Sequence, residues 1–118
     1  MWTNRGILKA VLLVLVLFCN LVSASPWQQG QAIFQQKCVL CHGWQGKGDG
    51  KLARLIKGAP PANFTLSTLT MQEMEDMVRR GGAANGRSDS MPPWQSELTD
   101  EQISAVTLYI YSLRKEGE

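Results

Sequence analysis

Residues 38–42 read Cys-Val-Leu-Cys-His, and this spacing constrains the chain more than anything else in its 118 residues. Two thiols three positions apart, followed at once by histidine, form the C-x-x-C-H signature of covalent haem attachment. Each thiol can add to one of two neighbouring vinyl groups on a porphyrin edge. On a turn of helix the next residue then projects beneath the ring, where His42 offers a ring nitrogen to iron. A structural zinc site needs four ligands. Beyond residue 24 the chain offers only Cys38, Cys41 and its single histidine. A thioredoxin-like dithiol calls for a βαβ context, and no alternating run of β-branched residues supplies a strand. A strained disulfide between such close cysteines leaves the adjacent histidine without a reason.

The opening stretch, MWTNRGILKAVLLVLVLFCNLVSA, reads as a targeting segment. Arg5 and Lys9 give a positive start, Ala10 to Cys19 an apolar run, and Val22-Ser23-Ala24 the small residues a signal peptidase reads. A membrane span needs about 20 apolar residues, and Asn20 interrupts this run after ten. The expectation is a signal peptide over 1–24, a domain over 25–118, and no permanent membrane span after cleavage. Phe18 is too large for the small residue that precedes a lipoprotein cysteine, so Cys19 leaves with the leader. Arg5 and Lys9 account for the whole formal charge of +2. From Ser25 onward ten basic residues meet ten acidic ones, which gives no footprint for nucleic acid.

Three helical stretches follow. The first covers about Gly30 to Leu40, with Ile33, Phe34 and Val39 among its apolar positions. The second opens on the capping box Thr70-Met71-Gln72-Glu73 and ends at Gly81-Gly82. The third opens on a second box, Thr99 to Gln102, and carries Ile103, Val106, Ile110 and Leu113 on one face. Long loops over 43–65 and 82–98 are unusual in so small a domain. Fewer than a hundred residues with such loops make a thin core, so a cofactor is expected to fill the middle. Gly43 to Lys51 matches no phosphate-binding motif and reads as a flexible loop around that cofactor.

With one histidine, a bis-histidine iron is impossible within the chain. Met71, Met74 and Met77 sit on the second helix, where core filler or surface is the simpler reading. Met91 lies on a loop directly before Pro92-Pro93, and a residue before proline is held extended. Met91 is therefore the favoured distal ligand in a His/Met set.

These features together resemble the class I cytochromes c, specifically small bacterial ones similar to the cytochrome domains of oxidase subunits and to algal photosynthetic carriers. Gly30 and Phe34 match the family's first helix, and Val106 with Tyr109 its last; the small Gly30 permits the close crossing found there. Gly46-Lys47-Gly48-Asp49-Gly50 resembles the glycine-rich stretch after the haem motif. Pro60-Pro61-Ala62-Asn63-Phe64 resembles the haem-wall segment, and Met91-Pro92-Pro93-Trp94 the distal-ligand loop. The resemblance implies an all-α fold, a small cytochrome c domain of three main helices and long loops around one covalently bound haem c. It implies haem contacts from Pro60, Phe64 and Trp94, with Trp44 a further candidate for the wall. Relatives often place a proline after the glycine stretch, whose carbonyl accepts the proton of the histidine's second nitrogen. Lys51 stands there in this chain, a departure from the family: its carbonyl can still accept that hydrogen bond, with a less fixed geometry.

An iron held by His42 and Met91 has no free position, which points to a one-electron carrier rather than an enzyme. Two alternatives stay open: a ligand-binding or sensor haem protein with a displaceable distal residue, and a fixed electron-transfer subunit of a larger oxidase or dehydrogenase. Residues 37–57 carry a net +4 and residues 58–113 a net −4. The basic segment follows the haem motif and is expected to steer a redox protein donor or acceptor into brief contact. The leader and the resemblance point to the periplasm.

Overall fold

A computed structural model describes residues 3–18 and 23–114. Cys19, Asn20 and Val22, on which part of the leader reading rests, lie outside the described residues. Helix α1 (Thr3–Phe18) carries the apolar run, and its described side chains, residues 4 to 14, are all exposed. Among the described residues no helix is long and apolar enough to cross a membrane. The order continues with α2 (Pro26–Lys37), α3 (Val39–His42), α4 (Met71–Ala84) and α5 (Asp100–Ser112). Short 3-10 turns at Ala53–Leu55 and Phe64–Leu66 interrupt the first long loop. There is no strand among the described residues, so the all-α expectation holds.

Each long helix after α1 starts at a reciprocal cap. Thr70 accepts from the Glu73 amide and Thr99 from the Gln102 amide, and each partner side chain returns the bond. Ser25 and Gln28 do the same with Pro26 in the first turn, so α2 begins about four residues before its expected start. It also stops sooner: Cys38, at φ −111° and ψ −29°, separates α2 from the single turn of α3.

The core forms where α2 crosses α5. A Cβ on Gly30 would overlap the carbonyl oxygen of Ala105, so the backbones approach as closely as glycine permits. Phe34 is fully buried there, tilted against Tyr109 with ring centroids 5.2 Å apart. Ile103, Val106, Ile110 and Leu113 are all buried, as the helical spacing predicts. Met74 and Val78 bring α4 onto the same cluster. The Arg79 guanidinium, paired with Glu75 within α4, joins α4 to α5 through Asp100.

Candidate haem site

The helical turn α3 presents the motif. Cys38 accepts the amides of Cys41 and His42 on its carbonyl, at 3.2 and 2.9 Å, which holds both thiols and the imidazole in one compact turn. The glycine-rich stretch braces this turn from behind. Gly48 donates to His42, Gly50 to Cys41 and Leu52 to Leu40, all through backbone bonds of 2.8 to 3.1 Å. It is therefore a fixed back-brace and not the flexible cofactor loop expected, because its amides are committed to the carbonyls of α3.

His42 is buried, and its Nδ1 lies 3.1 Å from the carbonyl oxygen of Ala62. A carbonyl only accepts, so Nδ1 carries the proton and Nε2 keeps its lone pair for a metal. Burial lowers the pKa of His42 and the bond to Ala62 opposes that shift. The acceptor is thus Ala62 and not Lys51, since the Lys51 segment is drawn onto the back of α3 while Pro60-Pro61 delivers Ala62 to the imidazole. The Phe64 ring stacks on the imidazole at 4.4 Å and 23°, anchored by its own amide bond of 2.7 Å to Gly46.

In front of the imidazole opens a cavity of about 750 Å³, within the usual range for cofactor sites of roughly 300–1,000 Å³. Cys38, Cys41, His42 and Met91 all line it, as do Pro60, Phe64 and Trp94. These seven residues come from the Cys38–His42 turn and from two separate loops, yet all line the one cavity. Two thiols at one edge, an imidazole with a free nitrogen and a thioether form a donor set that fits a covalent haem. The Cys38 thiol is pushed up to about 12 by burial and by Cys41, with Lys37 opposing, so it is held as the neutral thiol.

Two residues depart from expectation. Trp44 is 67% exposed and does not line the cavity, because Gly43 ends α3 and turns the chain away from the wall. Met77 lines the cavity, as do Met74 and Met91; the sequence reading left the methionines of α4 as core filler or surface. The signal at Met77 was faint, a spacing of three from the buried Met74 on one face of α4.

The chain is 32% identical over 85 residues to a cbb3-type cytochrome c oxidase subunit FixP of Bradyrhizobium diazoefficiens, covering 72% of this chain and 27% of that protein. A FixP from Bradyrhizobium sp. ORS 278 is 30% identical, over 92% of this chain and 37% of its own length. The chain therefore spans about a quarter to a third of these curated relatives. In fold it is similar to a chain of a reducing HAO-like protein complex of Kuenenia stuttgartiensis, with a TM-score of 0.65 and 26% identity over 77% of this chain and 44% of that one. The family whose model matches residues 25–110 is described as cytochrome c oxidase, cbb3-type, subunit III. The chain belongs to that family, and it is a monohaem c-type cytochrome with covalently bound haem c.

Proposed function

We propose that Cys38 and Cys41 would hold the haem through thioethers, and that His42 through Nε2 and Met91 through sulfur would bind its iron. The observation that carries this reading is the convergence of all four residues on one cavity, with His42 Nδ1 already committed to Ala62. When bound, the haem supplies one-electron Fe(III)/Fe(II) chemistry, with a potential raised by His/Met ligation. Phe64 and Ala62 hold the imidazole plane and its tautomer. Pro60 and Trp94 line the cavity and would shield part of a bound haem from water. With both His42 and Met91 on the iron, the domain would carry electrons and perform no reaction of its own.

The basic segment is the docking face for an acidic redox partner. Lys47, Lys51, Arg54 and Lys57 make no ion pair among the described residues. Lys37 differs, since it pairs with Glu97 at 3.2 Å and lies over the Trp94 ring. In the acidic half, Arg79 and Arg80 already neutralise Glu75, Asp76 and Asp100 in part. A weak contact that loosens with salt follows from such a face. Residues 1–24 act as a cleaved leader, and the domain works in the periplasm.

Visible spectra of the matured protein test this reading. Low-spin spectra in both oxidation states, a weak ferric sulfur-to-iron band and no response to carbon monoxide support it. A high-spin ferrous form that binds carbon monoxide overturns it in favour of a ligand-binding haem protein. A second reading, a fixed electron-transfer subunit, is favoured by the names of the relatives, which are oxidase subunits. Purification from native membranes and soluble extract separates the two: a free carrier is recovered alone, a subunit with its complex.

A further inference from the structure

Helix α4 is broken at Gly81, which adopts φ 79° and ψ 175°. This region is essentially closed to residues with a side chain. In an unbroken helix the Gly82 amide would donate to Val78 and the Ala83 amide to Arg79. Here Gly82 donates to the Met91 carbonyl at 2.9 Å instead. The Val78 and Arg79 carbonyls accept from Trp94 and Gln95, at 3.1 and 3.2 Å. Of the groups the break frees, residues 91–95 take one donor, the Gly82 amide, and two acceptors, the Val78 and Arg79 carbonyls. Pro92 and Pro93, between the bonded positions, have no amide proton to leave unpaired.

The fit is tight as well as bonded. A Cβ on Gly81 would lie 2.8 Å from the Met91 carbonyl oxygen, 2.8 Å from the Pro93 nitrogen and 3.0 Å from the Pro92 carbonyl carbon. All three are backbone atoms, so no rotamer change relieves the contact. The Asn85 side-chain amide donates to the Gly81 carbonyl at 2.9 Å and pins the break from its other side.

We infer that Gly81 is a positioning residue for the distal ligand: its backbone break turns the end of α4 into a bracket that presents Met91 to the cavity. This rests on the assignment of Met91 to the iron. Gly81 does not line the cavity and acts through the loop backbone alone.

The test uses the full haem-loaded chain and two readouts, the ferric sulfur-to-iron band and the affinity of the ferric protein for imidazole, which competes for the distal position. Covalent haem content serves as the check on maturation. Gly81→Ala is expected to weaken or abolish the band and to raise imidazole affinity by about tenfold or more, as the ligated population falls. Gly58→Ala is the control for backbone strain, because Gly58 also has positive φ but nothing within 4 Å of an added Cβ; it should stay within about twofold of the parent. Gly81→Ala with a parental band and parental imidazole affinity overturns the inference. Should Gly81→Ala fail to mature, Asn85→Ala decides, since it removes the pin without adding an atom. A severalfold gain in imidazole affinity supports the bracket and no change overturns it. Met91→Ala is run alongside: a retained sulfur-to-iron band there overturns the ligand assignment itself, whatever Gly81→Ala does.

Discussion

The Phe64 ring lies 4.4 Å from the His42 imidazole and nearly parallel to it, while two residues earlier the Ala62 carbonyl accepts a hydrogen bond from the imidazole Nδ1–H. One short segment therefore controls both the plane and the tautomer of the proximal histidine. Truncating Phe64 tests how much of the site depends on that stack. Phe64 is only half-buried, so Phe64→Ala is expected to cost about 2 kcal/mol in denaturant unfolding, below the usual range for a buried phenylalanine. Phe64→Leu should recover about half of that loss. A change under about 0.5 kcal/mol for the alanine variant would mean that the ring merely covers the imidazole.

Met77 and Met91 share the cavity wall, and the two thioethers are separable by substitution. Met91→Ala should abolish the ferric sulfur-to-iron band and let the ferrous protein bind carbon monoxide. Met77→Leu keeps the apolar volume and should leave both properties at parental values. The reverse pattern would move the distal ligand from the loop to α4.

What the sequence made legible follows from how local each signal is. The boxes Thr70/Glu73 and Thr99/Gln102 set two helix starts, and the spacing of Ile103, Val106, Ile110 and Leu113 gave the buried face of α5. The Ser25/Gln28 box was equally local, but its glutamine-rich first turns lack the apolar spacing that drew attention further along, to Ile33 and Phe34. The partner of His42 was misplaced because it lies 20 residues away, across a loop whose path depends on backbone bonds to α3. Trp44 was misread for a similar reason: one turn at Gly43 decides which side of α3 the chain leaves by. The seat of Met91 on α4 left only the pairs Gly81-Gly82 and Pro92-Pro93 as traces, and neither says by itself that the two are bonded.

Charge on the docking face is open to a direct kinetic test. Ferricyanide is a small anionic oxidant, so its reaction with the reduced protein reports local positive potential without a protein partner. Reversing Lys51 or Arg54 to glutamate should slow that reaction by about threefold at low ionic strength, with the difference fading above about 0.5 M salt. Reversing Arg80, which is already paired with Asp76, should change the rate less. Equal effects from all three positions would show that only net charge matters and that the basic segment has no special place.

The crossing of α2 and α5 gives the sharpest structural expectation. An added methyl at Gly30 meets the Ala105 carbonyl, and that oxygen belongs to the middle of a helix whose neighbours Ile103, Val106 and Ile110 are all buried. Neither backbone can yield alone, so the helices must separate along the whole contact that encloses Phe34. Gly30→Ala is expected to destabilise the protein by about 2–3 kcal/mol, the upper range for overpacking. For a domain of this size that lowers Tm by roughly 10 °C or more. Gln29→Ala, one position away and exposed, should change stability by less than about 0.5 kcal/mol. A Gly30→Ala protein that melts alongside the parent would mean that α2 and α5 tolerate a wider crossing than the one observed.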